Sequence, residues 1–137
     1  MIKIGKDISS FSTYSCQPKN REELRSIVYD RIDKEGLNCD LNDIDVSLIT
    51  DMSFLFYDSK FNGDISNWNV SNVVNMTRMF AFSKFDGDIS GWDVRKVRDM
   101  SYMFYDAKFT GDISNWKINK NCNTTQMRVQ EQSLTSK

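Results

Sequence analysis

The chain has 137 residues, of which 39% are hydrophobic, and a formal net charge of −1. This length predicts one domain, and the hydrophobic fraction is sufficient for a packed core. The near-zero net charge argues against a nucleic acid partner, because proteins that bind DNA or RNA usually carry a basic face. No apolar run approaches the roughly 20 residues that a membrane-spanning helix needs, so we expect no membrane partner either.

Residues 1–39 are predicted to form an amino-terminal cap, with a short strand near the start and an amphipathic helix over 21–35. Asn20 is a good N-cap residue, and Gly36 is placed to end the helix. The start of the chain lacks the apolar core of a signal peptide, and three cysteines without a paired spacing favour reduced thiols. Both features predict a cytoplasmic location. The apolar stripe of the helix consists of Leu24, Ile27, Val28 and Ile32.

A 24-residue repeat fills most of the remaining chain. Residues 64–87 and 88–111 align with apolar residues at matching positions, and the register extends upstream to 40–63. A degenerate fourth repeat over 112–132 has polar residues at core positions, as expected of a terminal repeat, and 133–137 are predicted to be a disordered tail. A fixed short period of this kind is typical of stacked repeats.

Within one repeat, the apolar spacing predicts two short elements. Residues 65–73 have the spacing L-x-x-L-x-L-x-x-N/C of a leucine-rich repeat, and the alternation of Trp68 and Val70 indicates a short strand. Over 73–80 the apolar residues follow i, i+3, i+6 and i+7, which is one face of a helix, and Asn75 is placed to cap it. A glycine turn then leads to the next strand.

The predicted fold class is therefore α/β: a repeat solenoid over 40–132, a leucine-rich-repeat-like stack of short parallel strands and short helices with an amino-terminal capping helix. The column of Trp68, Trp92 and Trp116 occupies a leucine position, so we expect it in the core. Repeats of this kind have no central crevice, and they offer long surfaces to other macromolecules.

Two runs of the repeat carry a resemblance to a known family. NGDISNWNVSNVVNM and DGDISGWDVRKVRDMSYMF resemble the repeat of the BspA-like leucine-rich-repeat family of bacterial surface proteins, and the resemblance covers residue 40 to about residue 127. It implies a leucine-rich-repeat solenoid that binds other proteins, often at a cell surface. A surface location is therefore the alternative to the cytoplasm.

The residues offer little chemistry. The chain has no histidine and no phosphate-binding glycine motif, so we predict no enzyme activity, no catalytic residue and no cofactor. One column of aspartates has oxygen ligands that could suit Ca²⁺, but aspartate in a turn more often accepts backbone N–H bonds, and we predict no metal site. This column consists of Asp40, Asp64, Asp88 and Asp112.

Two faces remain as candidate partner-binding surfaces. In leucine-rich-repeat proteins the strand side usually binds, so the strand face is the first choice by resemblance. The helix face is the alternative, with aromatic residues and one arginine; in it Phe82 replaces Asp58 and Asp106 of the other repeats with no packing reason evident from the sequence. The strand face comprises Asp43, Asp45, Asn67, Asn69, Asp93, Arg95, Asn115 and Lys117, and the helix face comprises Phe54, Tyr57, Arg78, Phe82, Tyr102 and Tyr105.

These observations predict a non-catalytic protein-protein interaction module. It would bind one macromolecular partner inside a bacterial cell, as an inhibitor, adaptor or blocking protein, and a phage or mobile-element inhibitor is one version. The partner is expected to be a protein, with a basic surface because the first repeat is acidic. We expect a monomer, with self-stacking through the repeat ends as an alternative, and an extracellular adhesion module as the alternative function.

Overall fold

The computed structural model describes residues 14–128 of the chain. Within this range it contains one helix, α1 (Arg21–Glu35), and five isolated parallel bridges but no longer strand. The predicted short strand near the start of the chain, the last residues of the fourth repeat and the predicted tail lie outside the described residues.

Helix α1 has the bounds that the sequence predicts. The Asn20 side chain accepts a hydrogen bond from the backbone N–H of Glu23, and Gly36 follows the helix with a φ of 100°. The N–H of Gly36 donates to the carbonyl of Ile32. Leu24 and Val28 are fully buried, so the apolar stripe faces the repeats.

The predicted α/β solenoid of alternating strands and short helices is wrong. The segment expected to be helical consists of successive turns: the N–H of Met79 donates to the carbonyl of Met76, three residues earlier, at 3.2 Å. Arg78 and Phe82 have φ values of 53° and 60°, which no right-handed helix contains. A positive φ at the third residue is the geometry of a type II turn.

The reason is where the backbone N–H groups of this segment point. Every second N–H donates to the following repeat rather than along its own repeat, so the i to i−4 bonds of a helix cannot form. The intervening N–H groups close three-residue turns, and these turns produce the apolar spacing of three that resembles a helix. The outward donors of the second repeat are Met76, Arg78, Phe80 and Phe82, and their acceptors are the carbonyls of Asp99, Ser101, Met103 and Tyr105.

The predicted strand is also replaced by turns. The N–H of Trp68 donates to the carbonyl of Ile65 at 3.1 Å, and the N–H of Val73 donates to that of Val70 at 3.0 Å. Neither N–H is therefore available to a neighbouring repeat. The parallel bridges form instead beside these turns, and they pair Cys16–Ile44, Asp40–Asp64, Asp51–Asn75, Asn75–Asp99 and Asp99–Asn123.

Aromatic columns form the core. The rings of Phe56, Phe80 and Phe104 stack with centroids 5.5 Å apart at each step. The expected burial of the tryptophan column is confirmed, since its members are 3–7% exposed. The indole N–H of Trp92 donates to the carbonyl of Ile65, and that of Trp116 to the carbonyl of Ile89. Buried indole N–H groups thus find acceptors one repeat away.

Helix α1 closes the first edge of the repeat stack. The carbonyls of Ser53 and Leu55 occupy the positions that, in later repeats, accept hydrogen bonds from the preceding repeat. Here side chains of α1 supply the donors instead: Arg21 Nε bonds to the first carbonyl, and the Tyr29 hydroxyl donates to the second at 2.7 Å. Two of the four carbonyls in this row are therefore satisfied without another repeat.

Phe54 distinguishes the turn geometry from the predicted helix, because it lies in the first-repeat counterpart of 73–80. It is exposed and has a φ of 61°. We expect Phe54→Gly to be more stable than Phe54→Ala by about 1 kcal/mol, because both lose the ring but a left-handed residue with a Cβ costs roughly 1–2 kcal/mol. In a helix the order would be reversed. Urea unfolding measures both variants. At exposed Lys84, whose φ is not positive, alanine should be at least as stable as glycine.

Candidate protein-docking surface

The six helix-face candidates lie together, although no helix is present there. Ring centroids are 5.2 Å apart for Phe54–Tyr57 and 5.6 Å apart for Tyr57–Phe82. The contacts continue from Phe82 to Tyr105 at 5.6 Å and from Tyr105 to Tyr102 at 5.2 Å. We call this set the aromatic belt: Phe54, Tyr57, Arg78, Phe82, Tyr102 and Tyr105.

Arg78 closes the aromatic belt into a circuit. Its guanidinium carbon lies 4.4 Å from the ring centroid of Tyr102 and 5.8 Å from that of Phe54. Both distances allow cation–π attraction, which is strongest when the cation is partly desolvated, and Arg78 is half-buried. The arginine side chain therefore lies between two aromatic rings.

The turn geometry places the belt residues outward. Phe54 has a φ of 61° and Tyr57 closes the following turn by donating its N–H to the carbonyl of Phe54. Leu55 and Phe56, between them, are fully buried. The third repeat has the same arrangement, with Tyr102 and Tyr105 partly exposed around the buried Met103 and Phe104.

Phe82 has a packing role that the column-by-column sequence comparison missed. Ala81 occupies the position of Tyr57 and Tyr105 in the neighbouring repeats, and it is only 1% exposed. The Phe82 ring makes edge-on contacts with both tyrosine rings. It therefore lies between them, where the missing third tyrosine ring would otherwise be.

The belt remains accessible to a partner. Phe54, Tyr57 and Phe82 are 40%, 41% and 38% exposed, although each ring contacts a neighbouring ring at a tilted or T-shaped angle. Contiguous apolar surface of this kind on a small protein commonly marks an interaction site. Ring contacts hold the side chains in place before any partner arrives.

The strand-face candidates are engaged differently. The side chains of Asp45, Asn69 and Asp93 each accept the backbone N–H two residues later, at 3.0, 3.1 and 3.2 Å. These are Asx turns, which hold the local backbone. Asp45 also accepts a hydrogen bond from Gln17, at 2.9 Å.

Ion pairs engage two further members of the strand face, Asp43 and Arg95. Arg31 of α1 lies 2.9 Å from Asp43, and this hydrogen bond holds the pKa of the carboxyl below its usual range. Arg95 lies 2.8 Å from Asp93 and lowers the pKa of that carboxyl to about 2. The expected acidity of the first repeat is thus partly neutralised within the chain.

Strand-face residues line several hollows. Asp43 and Asn67 line one with Asp40 and Tyr14. A second, of about 180 Å³, has four strand-face candidates in its wall. Asp45 lines another with Tyr14 and Gln17. The four residues of the second hollow are Asp93, Arg95, Asn115 and Lys117.

The aspartate column and the buried thiols have structural surroundings. Asp88 and Asp112 accept the backbone N–H two residues on, which lowers the pKa of each carboxyl. A hydrogen bond from the Asn42 side chain, followed by the backbone N–H of Ser66, lowers the pKa of Asp64. Burial raises the pKa of the Cys39 and Cys122 thiols, so their reactive thiolate forms are disfavoured. Among residues 14–128, no group of three or more histidine, cysteine or acidic residues is arranged to hold a metal ion.

Comparison with known proteins assigns a family. The model of the family described as "Mycoplasma protein of unknown function, DUF285" matches residues 23–137. The chain belongs to this family. No curated protein and no solved structure matches the chain. Among residues 14–128, no helix is both long and apolar enough to cross a membrane.

A double-mutant cycle tests whether the Phe82 ring compensates for the tyrosine ring that is missing at Ala81. Ala81→Tyr alone should clash with the Phe82 ring, and Phe82→Asp alone should uncover Ala81. Ala81→Tyr combined with Phe82→Asp restores the Tyr-Asp pair of the adjacent repeats. We expect a favourable coupling of about 1 kcal/mol or more in urea unfolding, within the range for contacting residues. Strictly additive effects would contradict the packing role of Phe82.

Acid unfolding of an Asp93 variant tests whether a turn carboxylate stabilises the fold. Its pKa is about 2 in the folded chain and about 3.9 when unfolded. Its stabilising contribution is thus present above about pH 4 and is lost as the pH falls through about 2. Asp93→Asn keeps a turn acceptor, as Asn69 does, but does not titrate. We expect a shallower fall in Tm across this window than in the wild type; an unchanged slope would contradict this account.

Proposed function

We propose that the chain is a non-catalytic protein-protein interaction module that binds one protein partner through the aromatic belt. The observation that carries the proposal is the closed circuit of ring and cation–π contacts with three large aromatic side chains left about two-fifths exposed. Aromatic residues and arginine dominate the binding energy of protein interfaces. Because neighbouring rings already order these side chains, binding loses little of their conformational entropy.

The strand face is the weaker candidate for this role. Asp45, Asn69 and Asp93 hold turns, and Asp43 is paired with Arg31. A partner that bound these groups strongly would compete with the hydrogen bonds that shape the repeat. The belt side chains can instead be covered without breaking a backbone contact.

The expected partner has an apolar patch with basic groups at its rim. Asp58 and Asp106 occupy the position of Phe82 in the neighbouring repeats, and we expect their carboxylates to add negative charge near the exposed rings. Opposite charges at a rim contribute to specificity and association rate. Binding itself would be the activity, as an inhibitor, adaptor or blocking protein inside a bacterial cell. The free state of Cys16, Cys39 and Cys122 fits the reducing interior of a cell.

A second candidate is an extracellular adhesion module of the BspA-like type. The motif GDIS-x-W-x-V, recurring in phase, supports assigning the repeats to this type, and the membership of the Mycoplasma family is compatible with it. Cell fractionation separates the two proposals, because an adhesion module would be found at the surface or in the medium.

Affinity purification of the tagged chain from the cells that make it tests the belt. We expect one stoichiometric protein with the wild type, and its loss with Phe82→Asp combined with Tyr57→Ala, because these changes remove two exposed aromatic anchors. A reduction of about 2 kcal/mol or more in binding energy is typical of such anchors. Isothermal titration with the purified partner measures it.

Lys117→Glu is the matched control on the strand face. Lys117 is exposed, and reversing its charge leaves the belt intact. Circular dichroism verifies that all variants are folded. Loss of the partner with Lys117→Glu but not with the belt variant would transfer the site to the strand face, and retention by both variants would contradict both assignments.

A further inference from the structure

The end of the stack formed by the fourth repeat exposes a row of hydrogen-bond donors. The N–H groups of the third repeat donate to the carbonyls of Asn123, Thr125 and Met127 at 2.7, 2.9 and 2.8 Å. The next donors in the same series are the N–H groups of the fourth repeat. Among the described residues 14–128, none of these three groups has an acceptor; they belong to Thr124, Gln126 and Arg128.

Apolar surface accompanies these donors. Ile113 and Met127 pack against the core but are only partly buried, whereas their counterparts in the third repeat, Ile89 and Met103, are 1% and 0% exposed. Ile118 is 37% exposed. We call the three donors and these two partly buried side chains the end face. The Arg128 side chain lies beside it, donating to the carbonyl of Gly111 at 2.7 Å and packing over the Phe109 ring.

The two ends of the stack are not equivalent. The first repeat ends in carbonyls, and Arg21 and Tyr29 of α1 already donate to two of them. Head-to-tail joining of two copies would therefore require α1 to leave. Joining of two end faces would set donors against donors. The end face thus needs a partner other than a second copy in this conformation.

We propose that the end face docks a repeat of the same 24-residue type carried by a second protein, one whose first repeat has uncovered carbonyls. The donors lie at alternate residues along a path bent by turns, with a φ of 52° at Gln126. A segment with the same bends presents its carbonyls at the matching spacing. This is strand-addition recognition with a turn-shaped rather than a straight segment.

Charge favours an acidic partner repeat. The fourth repeat, 112–132, contains Lys117, Lys120 and Arg128 against Asp112 and Glu131, so its formal charge is +1. The first repeat of this chain shows that the repeat type accommodates strong acidity, since residues 40–63 contain five aspartates against one lysine. The inference rests on the end face alone and does not depend on binding through the aromatic belt.

Amide hydrogen exchange of the full chain tests the premise and the proposal together. In the wild type, the N–H groups of Thr124, Gln126 and Arg128 should exchange rapidly, while those of Met100, Tyr102 and Phe104 are protected. The probe is the same chain extended by a Gly/Ser linker and a second copy of residues 40–63. We expect exchange at the three end-face amides to slow about tenfold or more, since such a linker supplies an effective concentration in the millimolar range.

Two controls make the outcome decisive. A fusion carrying a scrambled copy of 40–63 has the same charge and composition but should give no protection. Met127→Lys in the fusion should abolish protection of the end face, whereas Val74→Lys, at an exposed site elsewhere, should leave it. Slow exchange already present in the wild type, no slowing in the fusion, or equal slowing by the scrambled copy would each overturn the proposal.

Discussion

The division of the backbone N–H groups within each repeat governs the rest of this structure. In the segment from Met76 to Ser83 and its counterparts, alternate N–H groups donate to the next repeat and others close turns inside their own repeat. Among residues 14–128, seven residues that are not glycine have a left-handed backbone, among them Phe54 and Phe82. Each carries a cost of roughly 1–2 kcal/mol, so the bonds between repeats must hold the conformation. Stacking is therefore a condition for the fold of a single repeat.

Sequence reasoning located the repeat, its buried positions and helix α1, but it assigned the wrong elements. A spacing of three apolar residues is shared by a helix and by consecutive three-residue turns, so periodicity cannot separate them at this length. The side chains carried a clue: Asn75 was expected to cap a helix, and it does accept a backbone N–H, that of Thr77, but within a turn. Left-handed conformations at Phe54 or Arg78 have no residue signature comparable to glycine.

The candidate site was predictable as a set of residues but not as an arrangement. When equivalent positions are compared one at a time, the second repeat has an arginine, an alanine and a phenylalanine that each differ from the residues in the other repeats. In space the changes compensate diagonally, since the ring of Phe82 lies over Ala81 between two tyrosines and Arg78 bridges two rings. This compensation between neighbouring columns keeps the aromatic surface continuous. A column of three tyrosines would also be continuous, but it would need no arginine beside it.

The polarity of the hydrogen bonds explains why the two ends of the stack are treated differently. A terminal row of carbonyls can be satisfied by side chains, because arginine and tyrosine are donors, and α1 supplies both. A terminal row of N–H groups needs acceptors instead, and lysine and arginine side chains cannot supply them. Among residues 14–128, no acceptor lies against the N–H groups of Thr124, Gln126 and Arg128. The direction of the bonds between repeats therefore lets the donor side chains of α1 cap one end of the stack, whereas the other end requires acceptors.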